Sequence, residues 1–135
     1  MKMAERLHYH GLRGQLAHDA PLAKYTSWRT GGTADTLYVP ADRDDLARFI
    51  AQLPANEPLL AIGLGSNTLV RDGGIRGVVI SLGHDSLSRV QITGEHLHCG
   101  AGAKLKTVSV EARRAGLAGL EFLEGIPGSV GGALR

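Results

Sequence analysis

The sequence predicts an α+β fold, and three observations carry that prediction. A short run of β-formers, an amphipathic stretch and a second apolar run follow one another over residues 36–62, the order of a strand–helix–strand unit with parallel strands. Two alternating segments flank Gly94-Glu95, the mark of an antiparallel hairpin. A second amphipathic stretch covers residues 105–115. A parallel unit joined to a hairpin belongs to the α+β class rather than to a pure doubly wound sheet.

The elements follow in order. Residues 1–19 are polar and carry His8, His10 and His18. They predict a peripheral segment, a short and loosely docked helix broken by Gly11 and Gly14, ahead of a main domain over 20–135. Thr36-Leu37-Tyr38-Val39 reads as a strand stopped by Pro40. Asp42 is placed to cap a helix, its carboxylate accepting amide protons of the first turn. Leu46, Phe49, Ile50 and Leu53 form one face of that helix, and Pro54 closes it. Leu59-Leu60-Ala61-Ile62 is a continuous apolar run, which predicts a buried strand, as does Val78-Val79-Ile80. Val90 and Ile92, then Leu97 and Cys99, alternate with polar residues, and a two-residue turn opening on Gly94 suits type II′. Leu105, Val108, Ala112 and Ala115 mark the second helix, with Gly116 as its stop.

Composition excludes several functions. The 135 residues correspond to about one domain. A formal net charge of +2 and 4% aromatic residues leave little to steer a polyanion or to stack bases, so no nucleic-acid partner is expected. A single cysteine, Cys99, excludes an internal disulfide and fits a reducing compartment. No run approaches ~18 apolar residues, so no membrane span is expected. The first residues, Met1 to Arg6, lack the apolar core of a signal peptide. The expected location is the cytoplasm.

Glycine is the outlier, at 19 of 135 residues, about twice the usual ~7%. It gathers in three stretches: Trp28-Arg29-Thr30-Gly31-Gly32, Gly63-Leu64-Gly65-Ser66-Asn67-Thr68, and Gly125-Ile126-Pro127-Gly128-Ser129-Val130-Gly131-Gly132-Ala133. The second directly follows the strand 59–62, where ligands sit in open α/β units. Its successive amides suit a concave nest for a diphosphate, with Ser66 and Asn67 as added donors. It is not a Rossmann fingerprint: Thr68 fills the third glycine slot, and Arg71-Asp72-Gly73-Gly74 is turn chemistry where a helix would start. Nor is it a phosphate-binding P-loop, because no Gly-Lys-Ser/Thr is present. In the third stretch Pro127-Gly128 makes a turn and Ser129 is a good N-cap, so free amides at a helix start are expected to bind an anion.

Other residues have plainer readings. His96 and His98 share one side of a strand, but two ligands without a third read as a solvent-facing edge. His8 and His10 read the same way, and no metal is expected. Arg113-Arg114 suits the end of a helix, and Glu121 with Glu124 is ordinary surface spacing. Trp28 suits either the core or the wall of a ligand site.

Five motifs occur in series: Tyr25-Thr26-Ser27-Trp28-Arg29-Thr30-Gly31-Gly32, Gly63-Leu64-Gly65-Ser66-Asn67-Thr68-Leu69-Val70, Gly100-Ala101-Gly102-Ala103, Gly119-Leu120-Glu121-Phe122, and Gly125 to Ala133. The series resembles the UDP-N-acetylenolpyruvoylglucosamine reductase (UDP-N-acetylmuramate dehydrogenase) family from about residue 20 onward. The resemblance implies a bipartite FAD-binding domain of the vanillyl-alcohol-oxidase type over residues 20–135, without a Rossmann fingerprint. It implies that the loop of Gly63, Leu64, Gly65, Ser66, Asn67 and Thr68 lies on the FAD diphosphate. Ile126, Pro127, Gly128, Ser129, Gly131, Gly132 and Ala133 would pack against diphosphate and flavin, and Arg29, Thr30 and Gly31 would border the cofactor.

The family takes hydride from NADPH onto the flavin and passes it to the enolpyruvyl double bond of a UDP-sugar on the way to peptidoglycan. The arginine, serine and glutamate that carry the reduction have no match in this sequence. They are expected beyond residue 135, together with the substrate domain, so the 135 residues alone are expected to lack reductase activity. Apolar surface near 120–134 is expected to be uncovered, favouring marginal stability or self-association. The alternatives are a non-catalytic FAD-binding module, an oxidase of the same superfamily, and a generic nucleotide-binding regulatory domain. The oxidase is disfavoured because no His or Cys lies within the glycine stretches.

Overall fold

The computed structural model describes residues 9–83 and 85–135; the readings placed on His8 and on the first residues lie outside the described residues. Four strands form the main sheet: β1 (Gln15–Pro21), β2 (Thr33–Val39), β3 (Leu59–Ile62) and β4 (Ile75–Ser81), in the order β1-β2-β4-β3. β1 runs antiparallel to β2, while β2 and β3 are each parallel to β4. Helix α1 (Arg43–Ala51) connects β2 to β3. The strand–helix–strand unit therefore has its expected parallel sense, but its two strands are not neighbours.

β4 takes the place between them because its side chains are apolar on both faces. Val79 joins a core cluster with Leu22, Leu37, Ile62 and Val70. Val78 and Ile80 point the other way, to Tyr38 and Phe49. A strand buried on both faces belongs at the sheet centre. β3 is then left at the edge, and the expectation of a buried strand over 59–62 is corrected: Leu59 is 46% exposed, Ala61 is exposed, and only Ile62 is buried.

The opening segment also differs from its expectation. Residues 15–19 are part of β1, not of a docked helix, so β1 crosses the boundary drawn between 19 and 20. The edge of β2 offers unpaired backbone groups, and residues 15–21 satisfy them in a ladder from Gln15↔Val39 to Pro21↔Thr33. Ahead of the strand, Tyr9 and Leu12 pack on the Phe49 cluster. The Gln52 side chain accepts from His10 N at 2.7 Å and donates to His10 O at 2.9 Å.

One buried carboxylate ties these parts together. Asp45, in the first turn of α1, is fully buried. It accepts from Tyr38 Oη at 2.6 Å, Ala41 N at 2.9 Å and Arg13 N at 2.8 Å. Tyr38 Oη in turn accepts from Gly14 N at 3.2 Å. Asp42 caps α1 as its sequence position predicts, accepting from Asp45 N at 2.8 Å. Arg13 Nη2 reaches both Asp42 oxygens at 2.6 Å. Burial of Asp45 by itself raises its pKa, but the donors from Tyr38, Ala41, Arg13 and Gly14 more than offset it and hold the group below the usual carboxylate range. Burial, then the bond to Asp45, pushes the Tyr38 hydroxyl up to about 12, so the phenol remains a donor.

The second half builds a smaller layer. β5 (Val90–Thr93) and β6 (His96–Cys99) pair antiparallel, closing on Thr93↔His96. Gly94 has a φ of 59° and Glu95 is not among the positive-φ residues, which is the type II′ pattern rather than I′. Helix α2 (Leu105–Arg114) buries Leu105, Val108, Ser109 and Ala112 and contacts β5. It ends in a Schellman pair, Gly116 N to Arg113 O at 3.0 Å and Leu117 N to Ala112 O at 2.9 Å. Ile50 and Ala115, expected on the buried stripes, are exposed, Ala115 because it is the C-cap of α2. Among the described residues no helix is long and apolar enough to cross a membrane.

A carboxylate with a depressed folded pKa contributes stability that is complete above its unfolded value and is lost as pH falls through the folded value. Thermal melts of the chain are expected to hold from neutral pH to about pH 5 and to fall below about pH 4. Asp45→Asn should lower Tm at neutral pH and flatten that acid limb. Asp45→Ala, which strands three donors, should cost roughly 3 kcal/mol. An acid limb unchanged in Asp45→Asn would show that other carboxylates set it.

Candidate functional site

The carboxyl end of β3 opens into a cleft of about 600 Å³. One wall is β3 with residues 63–68. The facing wall is residues 126–129 and 131–133 with Ala101 and Leu105, and Leu82 and Arg135 complete it. Every predicted residue of the second and third glycine stretches lies on this cleft: Gly63, Leu64, Gly65, Ser66, Asn67 and Thr68 on one side, Ile126, Pro127, Gly128, Ser129, Gly131, Gly132 and Ala133 on the other.

The shape of the first wall follows from close backbone approach. Gly65 has a φ of +67°. A Cβ there would overlap the Tyr25 carbonyl oxygen and lie 2.8 Å from Thr26 Cα. The gap is closed by a hydrogen bond from Ser27 N to Gly65 O at 3.0 Å. On the other flank, a Cβ on Gly63 would sit 2.5 Å from Ser129 Oγ. The loop is thus clamped between residues 25–27 and Ser129. The amides of Leu64, Gly65, Ser66 and Asn67 donate to no acceptor among the described residues. Unpaired amides in series can form an anion-binding concavity, and these lie on the cleft.

The second wall works differently from its expectation. Ser129 caps α3 (Val130–Ala133), its Oγ accepting from Gly132 N at 3.3 Å. The amides at the start of α3 are not free, however. Val130 N donates to Ala103 O at 2.9 Å and Gly131 N to Ala101 O at 2.8 Å. An antiparallel bridge between Lys104 and Ser129, with Leu105 N donating to Gly128 O at 3.1 Å, stitches this loop to the start of α2. The loop spends its donors on the protein, so an anion on this side meets a helix start whose amides are already engaged.

The first glycine stretch does not line the cleft. Gly31 presses on Val70, whose Cβ would be 2.6 Å from a Cβ on the glycine. Gly32 N donates to Arg71 O at 2.9 Å. Gly31 and Gly32 therefore pack on residues 70–72, the chain that follows the second loop. Arg29 has a φ of 53°, unusual for a residue with a side chain. Trp28 is 65% exposed and belongs to neither the core nor the cleft lining.

Among the described residues the lining carries no carboxylate, and its one charged side chain is Arg135. An anion therefore enters without like-charge repulsion from the lining side chains. His96 and His98 are exposed on β6, facing away from half-buried Leu97 and Cys99. Burial pushes the Cys99 thiol up, which keeps it protonated and a poor nucleophile. Glu121 Oε2 accepts from Gly119 N at 2.9 Å, and Glu124 lies 4.0 Å from Arg113, so the two carboxylates serve local structure. The sequence reading missed Leu60, Ala61 and Ile62 as lining residues, together with Leu82, Leu105 and Arg135. The apolar run of β3 was legible, but only the sheet order shows that it lies at an edge.

A mixed sheet that opens into a loop of unpaired amides, with no helix directly after them, is not a Rossmann arrangement. The sequence profile described as FAD binding domain matches residues 34–135, and the chain belongs to that family. FAD is the cofactor of that family. UDP-N-acetylenolpyruvoylglucosamine reductase of Nitrosospira multiformis is 51% identical over 132 residues, covering 95% of this chain and 38% of the relative. The same-named protein of Parvibaculum lavamentivorans is 54% identical over 124 residues, covering 92% and 40%. The crystal structure of UDP-N-acetylenolpyruvylglucosamine reductase from Thermus caldophilus superposes with a TM-score of 0.64 at 34% identity, covering 93% of this chain and 42% of that one. The chain thus spans 38% and 40% of the length of these two relatives.

The contrast between crowded and open glycines is directly testable. Gly65→Ala should cost roughly 2–3 kcal/mol through backbone overlap and an unfavourable φ. Gly73→Ala, with nothing within 4 Å of its Cβ, should stay within roughly 0.5 kcal/mol of the parent. Equal melting temperatures for the two variants would contradict the clamp at Gly65.

Proposed function

We propose that this chain is the FAD-binding portion of an NADPH-dependent reductase that converts UDP-N-acetylglucosamine enolpyruvate to UDP-N-acetylmuramate in peptidoglycan synthesis. The observation that carries the reading is the run of undonated amides at residues 64–67, held at the end of β3 opposite the Gly125–Ala133 loop. That pairing fits the diphosphate of a dinucleotide. The relatives named for the reductase supply the reaction class.

In this reading Gly63, Leu64, Gly65, Ser66, Asn67 and Thr68 hold the diphosphate. Ile126, Pro127, Gly128, Ser129, Gly131, Gly132 and Ala133 form the opposite side of the cofactor site. Arg29, Thr30 and Gly31 border the cofactor. The fold is assigned to the vanillyl-alcohol-oxidase type, with residues 20–135 as the cofactor domain and β1 joining the preceding segment to it. FAD, once bound, supplies the hydride-carrying step. Reduction of an enol ether also needs a proton donor and charge stabilisation. Among the described residues the lining offers no carboxylate, histidine or cysteine for that work, and in this reading the catalytic groups and the UDP-sugar site lie outside these 135 residues. Exposed Phe122, Ile126 and Leu134, at 66%, 44% and 84%, support self-association. A cytoplasmic location accords with a single cysteine and with cytoplasmic nucleotide substrates.

Purified chain mixed with FAD and desalted should retain visible flavin absorbance. FAD at 100 times its Kd should add about 2.7 kcal/mol of stability. A colourless protein with an unshifted Tm would overturn the cofactor assignment. With NADPH and the enolpyruvyl UDP-sugar, no steady-state oxidation of NADPH is expected, and turnover would show that the chain carries its own proton donor.

A further inference from the structure

We propose that the cleft between α2 and the residues that follow it is a second binding site, for a small organic cation with an ammonium head on a short apolar body. It shares no lining residue with the cleft at the end of β3. Its volume is about 270 Å³. One wall is the face of α2 and its cap that carries Ser109, Ala112, Arg113 and Gly116, a spacing that places all four on one side of a helix. Leu117, Ala118, Leu120, Glu121 and Glu124 form the other wall.

Ser109 carries the inference. It is 7% exposed and sits in the middle of α2. A serine at such a position either bonds the carbonyl one turn back or points into water. Ser109 does neither: its hydroxyl has no hydrogen-bond partner among the described residues, and it opens on the cleft. A hydroxyl left in that state is ready for the polar group of a ligand. Charge selects the ligand. The lining holds one guanidinium, Arg113, against two carboxylates, Glu121 and Glu124. Glu121 spends one oxygen on Gly119 N. The contact between Arg113 and Glu124, at 4.0 Å, is an ion pair without a hydrogen bond. Both carboxylates therefore keep acceptor capacity. The negative end of the α2 dipole falls on the same cleft, at Arg113 and Gly116. An excess carboxylate beside a helix C-terminus favours a cation over an anion. Ala112, Leu117 and Leu120 offer apolar surface to the body of the ligand.

The test is a titration of the chain with n-butylammonium, butyrate and 1-butanol at constant ionic strength, followed by 15N amide shifts. n-Butylammonium should give saturable shifts confined to residues near 109–124, and butyrate should give none. 1-Butanol, which lacks the charge, should bind about tenfold more weakly. Ser109→Ala and Glu124→Gln should each weaken n-butylammonium about tenfold, the loss of one hydrogen bond to a charged group. Ser109→Ala keeps the fold because alanine is the better helix former, and Glu124→Gln removes only an exposed ion pair. Glu111→Gln, on the same helix but paired with Arg114 outside the lining, should bind as the parent does. Shifts that are absent or do not saturate, butyrate or 1-butanol binding as tightly, or parent affinity in either lining variant would overturn the site.

Discussion

The cradle depends on backbone lying against backbone where no side chain fits. Gly65 rests on the Tyr25 carbonyl and Gly63 rests on the Ser129 hydroxyl, so the loop between β3 and the rest of the chain is pinned from two directions. A loop pinned in this way needs no helix behind it to orient its amides. That is why a Rossmann-type helix is absent after β3 and the amides of residues 64–67 are still left for a ligand. The same contact excludes Cβ atoms from the floor, and a small anion can approach the peptide groups directly.

The sheet places that loop at an edge. β4 occupies the centre because Val78, Val79 and Ile80 are apolar on both faces, and β3 is displaced outward with its end open to solvent. The Asp45 cluster fixes the other side of the sheet by joining residues 13–14, Tyr38, Ala41 and the start of α1 through four donors. Neither feature touches the cleft. The sheet order leaves the end of β3, and with it the 63–68 loop, at an edge.

The two walls divide the work in a way that the sequence motif does not reveal. The 63–68 loop keeps its amides free, whereas the Val130 and Gly131 amides are engaged with Ala103 and Ala101. The glycine pair 131–132 serves close packing: Gly131 approaches Ala101, and a Cβ there would lie 3.1 Å from the Ala101 carbonyl. Gly31 and Gly32 pack on Val70, Arg71 and Asp72 just after the first wall. The FAD binding domain match covers residues 34–135, a span that holds both walls of the cleft.

Local chemistry was legible from the sequence alone. Asp42 and Ser129 announce helix starts by their capping oxygens, Gly94-Glu95 announces a tight hairpin, and Gly116 ends α2, because each depends on residues a few positions apart. The second glycine loop was also legible, since its position after an apolar run is a one-dimensional fact. Pairings between distant segments were not. Residues 15–21 carry no strand signal strong enough to override the neighbouring glycines, and they become β1 only because β2 offers an open edge. The insertion of β4 between β2 and β3, the burial of Asp45 and the engagement of the α3 amides each depend on a partner tens of residues away. Sequence set which backbone groups were free to turn and cap. Tertiary packing decided which were used up by the protein and which remained for a ligand, because a hydrogen-bond donor is satisfied only by the acceptor the fold brings to it.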